Sequence, residues 1–139
     1  MEIQVYHTLP EAARQIRQEV FVEEQHFQEE FDGIDGRALH LILYQDGVAA
    51  GTCRFFQGRE PGEYLVGRIA VRKSFRGQNL GAALLEAAER EIRKRGGGSV
   101  RLHAQQRASG FYEKQGYEPY GPVEYEEYCP HIWMKKKLL

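Results

Sequence analysis

The chain has 139 residues, 42% of them hydrophobic and 28% charged, with a net charge of −1. That length supports one packed domain and not two ordinary ones, so a single domain over residues 1–139 is expected. Acidic and basic residues interleave except at Lys135-Lys136-Lys137, which argues against nucleic acid as a partner, and no run is apolar enough to span a membrane.

In chain order, Ile3 and Val5 alternate as in a short strand, and Thr8-Leu9-Pro10 supplies a capping hydroxyl and an early proline for a helix. Leu9, Ala12, Ala13, Ile16 and Val20 fall on one face of that helix, which therefore packs on a sheet. Glu23 to Gly36 is polar with Phe27, Phe31 and Ile34 interspersed, and reads as a short second helix and a surface loop placed to act as a substrate lid. Leu39 to Tyr44 and Val48 to Phe56 are antiparallel strands joined by Gln45-Asp46-Gly47, whose Asp-Gly marks a hairpin. After the loop Gly58 to Gly62, a third long strand runs from Tyr64 to Arg72. Apolar positions 80, 84, 88 and 92 repeat at helical spacing over Leu80 to Arg95, and Gly96-Gly97-Gly98 ends that helix. Val100 to Ala104 is a strand, Arg107 to Gln115 a short helix closed by Gly116, and Ile132 to Met134 lies in a last strand. This order gives an α/β (α+β) protein with a mixed sheet covered by helices.

Between the third strand and the long helix stands Arg76-Gly77-Gln78-Asn79-Leu80-Gly81-Ala82, with glycines at 77 and 81. Such a turn leaves backbone N–H groups free at a helix start, where the helix dipole also welcomes an anion. It is not a P-loop, because no Lys-Ser/Thr follows Gly81, and it is not a dinucleotide fingerprint, because G-x-G-x-x-G is absent. It resembles the Arg/Gln-x-x-Gly-x-Gly/Ala acyl-CoA signature of the GNAT superfamily of N-acyltransferases, with Asn79 where glycine is usual; Asn is among the few residues that tolerate a left-handed backbone. Phe111-Tyr112-Glu113-Lys114-Gln115-Gly116-Tyr117 resembles that family's Phe-Tyr-x-x-x-Gly-Phe/Tyr signature, and Cys129-Pro130-His131-Ile132-Trp133-Met134 resembles the Pro-His-containing ending of small bacterial members of the ElaA/YjcF-like kind and of glyphosate N-acetyltransferase. Val20-Phe21-Val22-Glu23-Glu24-Gln25 resembles a segment of the same group, so the likeness covers essentially the whole chain.

The resemblance implies a GNAT fold, a mostly antiparallel sheet of six to seven strands with about four helices, and acetyl-CoA as cosubstrate. It assigns the backbones of Ile69 and Val71 to the pantetheine arm, which lies beside a splayed strand and supplies partners for unpaired main-chain groups. An amide near Ala70 is placed to help an oxyanion, and the turn Arg76 to Ala82 (Gly77, Gln78, Asn79, Leu80 and Gly81 between them) holds the pyrophosphate. Tyr112 meets the CoA sulfur; a phenol of pKa about 10 is a weaker acid than a thiol at about 8.5, so its contribution is a hydrogen bond to the developing thiolate. His131 is the matching general base, since imidazole is mostly neutral at pH 7 and can accept a proton from an incoming ammonium. A Cys129/His131 nucleophile is a weak rival, because the thioester is already an activated acyl donor. Glu24 is a candidate for binding an amine and Arg68 for binding an acidic group, while His103 is expected only to hydrogen-bond locally.

The expected reaction is acetyl transfer from acetyl-CoA to an amine, most simply of a small molecule, by direct attack in a ternary complex. A non-catalytic acyl-CoA sensor and an enzyme acting on protein amines stay open as alternatives, as does a homodimer. No metal is expected, since Cys53 and Cys129 alone make neither a zinc site nor a disulfide framework. Met1–Gln4 lacks the features of a signal peptide, so a cytoplasmic location with reduced thiols is expected.

Overall fold

The computed structural model describes residues 1–138. Seven strands form one sheet in the order β1-β2-β3-β4-β5-β7-β6, where β1 is Glu2–Tyr6, β2 Leu39–Gln45, β3 Val48–Gln57, β4 Glu63–Val71, β5 Ser99–Gln105, β6 Glu118–Glu126 and β7 Cys129–Lys137. All neighbours are antiparallel except β4 and β5. The helices are α1 (Glu11–Arg17), α2 (Leu80–Lys94) and α3 (Ser109–Lys114), with 3-10 turns at Gly33–Gly36, Lys73–Phe75 and Gln106–Ala108.

The central hairpin follows its sequence. Leu41, Ile42 and Leu43 are fully buried, as a strand covered on both faces must be, and the β2–β3 turn places Asp46 and Gly47 both at positive φ (51° and 79°), which suits the twist of a two-residue hairpin. On one face α2 buries Leu84, Leu85, Ala88 and Ile92 against Leu41, Leu43 and Phe55. Each fully buried aliphatic side chain contributes about 1.5–3 kcal/mol, so the 80/84/88/92 stripe is enough to hold α2 in place. The approach is close at Gly51, where a Cβ would lie 2.9 Å from Leu84 Cδ1 and 3.0 Å from the Ala70 carbonyl. On the opposite face Ile16, Val20 and Phe21 pack with Phe27, Ala70 and Cys129.

Five expectations change. Pro10, not Thr8, takes the cap position of α1, and no side chain caps it. α1 continues as a π-helical stretch over Gln18–Glu24, in which the Gln25 N–H donates to the Val20 carbonyl five residues back. Such widened turns recur at functional sites. The polar segment after it is no loose lid: Arg17, fully buried on α1, holds Glu30 (2.9 Å) and Asp35 (2.8 Å), and Arg54 on β3 holds Asp32 (2.7 Å) and Asp35 (2.9 Å). The expected short second helix is the 3-10 turn at Gly33–Gly36, started by the Asp32 carboxylate accepting from the Ile34 N–H. Finally, β6 is a strand that periodicity does not announce. It is almost wholly exposed, and its pairing with β7 is interrupted between Tyr120 and Glu124, around Gly121-Pro122.

Among the described residues no helix is long and apolar enough to cross a membrane, and no group of three or more His, Cys, Asp or Glu is placed to hold a metal ion.

Candidate active site

β4 opens the site. Its parallel ladder with β5 consists of Glu63–Ser99, Tyr64–Val100 and Leu65–Arg101 and ends there, so the two strands diverge toward the carboxyl end of β4. The cause lies in a bulge on the other side: Thr52 of β3 faces Ala70, while Arg54, two residues on, faces Gly67, three residues back. The extra residue bends β4, and within it Arg68 adopts φ 55°, a left-handed conformation costing about 1–2 kcal/mol for a non-glycine residue. The guanidinium of Arg68 secures that conformation by reaching the Glu30 carboxylate (2.9 Å), the Glu30 carbonyl (3.0 Å) and Asp32 (3.4 Å). Arg68 does line the cavity, but its charge is already matched.

Beyond the splay, Ile69 and Val71 line a cavity of about 1010 Å³, while Ala70 turns to the α1 side and is buried there. At the end of β4 the turn into α2 carries Gly77 at φ 85° and Asn79 at φ 59°, so Asn79 keeps the left-handed turn that glycine would make more freely. Leu80 anchors the helix start in the core, whereas Arg76 to Asn79 are exposed. Gly81 also lines the cavity, with partly buried Ala82 behind it; a Cβ at Gly81 would meet Phe111 Cζ at 3.5 Å, an ordinary contact that leaves no space for more. The N–H groups of the first helical turn have no partner within the helix, which makes this an anion-binding end.

Arg76 and Glu24 find each other. The guanidinium donates to both Glu24 oxygens (2.6 and 2.8 Å) and, through Nε, to the Val71 carbonyl (3.0 Å). Hydrogen bonds from Arg76 lower the Glu24 carboxyl below its ordinary value. Glu24 lies outside the cavity lining, so its role is to tie the end of the π-helical stretch to the phosphate-type turn, and the Val71 carbonyl is occupied.

Across the cavity α3 presents Phe111 and Tyr112, packed edge to face at 5.0 Å. Both line the cavity. Burial, reinforced by the Cys53 thiol, pushes the Tyr112 phenol well above its ordinary value, and its hydroxyl has no protein partner among the described residues. It is therefore a protonated donor aimed at whatever occupies the groove.

His131 on β7 is 5% exposed and lines the same cavity. Its Nδ1 lies 2.9 Å from the Cys129 carbonyl, an acceptor only, so Nδ1 carries a proton, and in the neutral ring Nε2 holds the lone pair. Cys129 is buried, and burial raises its thiol above the ordinary value, which disfavours it as a nucleophile. The β6–β7 turn covers this end: the Glu127 carboxylate accepts from the Gln28 and Glu29 amides (both 2.9 Å), Tyr128 donates to the Gln25 carbonyl, and Tyr128 stacks on Phe27 at 5.4 Å.

A family model described as an acetyltransferase (GNAT) domain matches residues 7–138. The chain belongs to the GNAT acetyltransferase family. It is 35% identical over 127 residues to an N-acetyltransferase of Bacillus subtilis (strain 168), YjcF, with 87% of each chain covered. Among solved structures it is similar to an acyl-CoA N-acyltransferase from Pseudomonas aeruginosa (TM-score 0.85, 32% identity, 97% of this chain and 98% of that one). It is also similar to Escherichia coli ElaA (TM-score 0.85, 27% identity, 97% and 98% covered). The protein is an acyltransferase, and the seven-stranded sheet with its opened β4 is the GNAT fold.

Within this GNAT site sequence reasoning missed two features. His103 does more than bond locally: its Nδ1 contacts Glu126 on β6, its ring stacks on Trp133 at 4.4 Å, and it lies 5.0 Å from the His131 ring. Glu126, 3.8 Å from His131 Nε2, went unremarked altogether. Period-two alternation was the available signal, since Arg101, His103 and Gln105 share one face of β5, and Glu124 and Glu126 one face of β6. The second omission is the Arg17/Arg54/Arg68 cluster, whose partners lie 13 to 38 residues apart in sequence.

Proposed function

We propose that the protein transfers an acetyl group from acetyl-CoA to a primary or secondary amine of a small molecule, by direct attack in a ternary complex. The observation that carries this reading is one continuous cavity. It joins the opened backbone of β4 and the Gly81 end of α2 to Tyr112 and His131, and the β6–β7 turn covers its far end. A space of that size, covered at its far end by the β6–β7 turn, fits a small acceptor better than a protein chain, which needs a groove open along its length.

The residues present fit an acyl-CoA. Main-chain groups of β4 past Leu65 lack the β5 ladder and can pair with an amide-bearing arm, and the turn before α2 presents backbone amides, with no side chain at Gly77 and Gly81. Bound there, acetyl-CoA supplies a thioester, an acyl group already activated toward an amine. The Val71 carbonyl is taken by Arg76, so Ile69 is the better placed of the two backbones. Gly77 to Ala82 would hold phosphate through backbone groups, while Arg76 holds the turn itself. His131 Nε2 takes one proton from the attacking ammonium. As the N–C bond forms and the C–S bond breaks, the sulfur ends with the second proton, and Tyr112 donates a hydrogen bond to it. The overall change is ammonium plus thioester to amide plus thiol plus one proton.

Calorimetry with acetyl-CoA tests the donor half: 1:1 binding is expected, and Gly81→Trp, which drives a side chain into Phe111, abolishes it while the fold persists. No binding at millimolar acetyl-CoA refutes the proposal. A panel of small amines followed by release of free CoA thiol tests the acceptor half. Binding without turnover on any amine would leave an acyl-CoA sensor as the function, and turnover on peptide amines alone would move the acceptor to proteins.

A further inference from the structure

We propose that Glu126 is the seat of the acceptor's ammonium group, which makes the site selective for amines that arrive as cations. This rests on the acetyl-transfer reading above and adds the residue that recognises the acceptor.

The argument is one of uncommitted charge. Of the carboxylates lining the cavity, Glu30 is held by Arg17 and Arg68, Asp32 by Arg54 and Arg68, and Glu127 by two backbone amides, while Glu29 is exposed to solvent and has neither histidine beside it. Glu126 has no lysine or arginine within 4.0 Å among the described residues; its neighbours are the imidazoles of His103 and His131. Oε2 contacts His103 Nδ1 and lies 3.8 Å from His131 Nε2, beyond hydrogen-bond distance, while Oε1 has no protein partner among the described residues. A partly buried carboxylate with an open oxygen beside a basic nitrogen is a cation site, because a charge-assisted N–H···O bond satisfies it at about twice the strength of a neutral one.

Position adds a second reason. Glu126 faces His103 on β5 and His131 on β7 and belongs to β6, so three strands fix it, and the covering turn begins at the next residue. An ammonium bonded to Glu126 lies next to His131 Nε2, whose lone pair is free because Nδ1 is committed to the Cys129 carbonyl. Holding the amine there converts proton removal from an encounter into a positioned transfer. Glu126 is thus a substrate-binding residue, and His131 stays the base. The titratable groups around the pair are Glu124 and Glu126 on β6, His103 on β5, and Cys129 and His131 on β7.

Trp133 provides the readout. It is the only tryptophan in the chain, it lines the cavity, and it is stacked on His103. The probe is n-butylamine, with n-butanol as its neutral counterpart of similar shape, each titrated against Trp133 fluorescence and against CoA thiol release at saturating acetyl-CoA. In the wild-type protein the amine is expected to give a saturable fluorescence change and the alcohol none. Glu126→Gln should raise the amine's apparent Kd and KM about tenfold or more, with the acetyl-CoA Kd from calorimetry within twofold of wild type. Glu126→Asp, which keeps the charge on a shorter arm, should recover part of that loss. His131→Ala should instead lower kcat and leave the amine's Kd within a few fold. An equal response to amine and alcohol, no saturable response to the amine, or an unchanged amine Kd in Glu126→Gln each overturns the assignment. Acetyl-CoA binding that persists alongside such a result separates this failure from a failure of the acetyl-transfer reading.

Discussion

Tyr112 enters the cavity as a phenol that burial and the neighbouring Cys53 thiol hold in its protonated form. A donor that cannot easily lose its proton stabilises a developing thiolate by hydrogen bonding, without acting as a reservoir of protons. Tyr112→Phe keeps the ring against Phe111 and removes only that bond, so single-turnover measurements should show a fall of about 10²-fold with acetyl-CoA affinity little changed. An unaltered chemical step would make Tyr112 a packing residue. In the proposed reaction His131 acts at the other partner. There its Nε2 takes the amine's proton, so His131→Ala should remove most of the turnover. A variant with a normal rate would return His131 to a structural role beside Cys129.

Elements with strong periodicity and clear punctuation were legible in the sequence: the α2 stripe at 80, 84, 88 and 92, the Asp46-Gly47 hairpin, and the phosphate-type turn with Asn79 in the left-handed region. β6 was not, because an exposed edge strand broken at Gly121-Pro122 has no buried face to alternate. Nor was the β4 bulge visible, since nothing in Gly67-Arg68-Ile69 announces a positive φ; the conformation is imposed by partners far away in the chain. The candidate site was legible where motifs carry it, at Tyr112, His131 and the turn, and opaque at Glu126, which only the β6–β7 register brings to the histidines. The bulge makes a discriminating prediction. Arg68→Gly removes backbone strain of about 1–2 kcal/mol but also a guanidinium from the almost fully buried Glu30, a loss of about 3–5 kcal/mol when a buried pair is broken outright and less here because Arg17 remains. Arg68→Ala loses the guanidinium and keeps the strain. Thermal unfolding should therefore rank wild type above Arg68→Gly and Arg68→Gly above Arg68→Ala. Equal stability of the two variants would show that the left-handed residue carries no strain.

At the scale of the whole molecule, three arginines and three carboxylates fasten α1, the segment after it, β3 and the β4 bulge into one unit beneath the cavity, so the shape of the site depends on their ionisation. Burial opposes the charges of Asp32 and Asp35, yet hydrogen bonds from Arg54 to Asp32 and from Arg17 and Arg54 to Asp35 outweigh it and lower both carboxyls. Groups with depressed folded-state pKa values contribute stability above their ordinary value, near 3.8, and lose it as pH falls through the folded values. Glu30 has the opposite sign: burial outweighs Arg68 and Arg17 and raises its carboxyl above 4.5, so its contribution favours the fold below that value and fades as pH rises through the folded one. Descending from pH 7, Glu30 takes up its proton first and relieves its own burial, and only then do the two aspartates release their arginines. The melting temperature should thus hold level or rise slightly down to about pH 4.5 and fall steeply below about pH 4. Asp35→Asn, which leaves the buried Arg17 and Arg54 short of a charge, should cost about 3–5 kcal/mol at pH 7 and flatten the acid limb. Parallel pH–melting curves for wild type and Asp35→Asn would mean that acid unfolds the protein elsewhere. A steep loss already at pH 5 would mean that groups outside this cluster govern the acid limb, because Glu30 gains stability as it protonates.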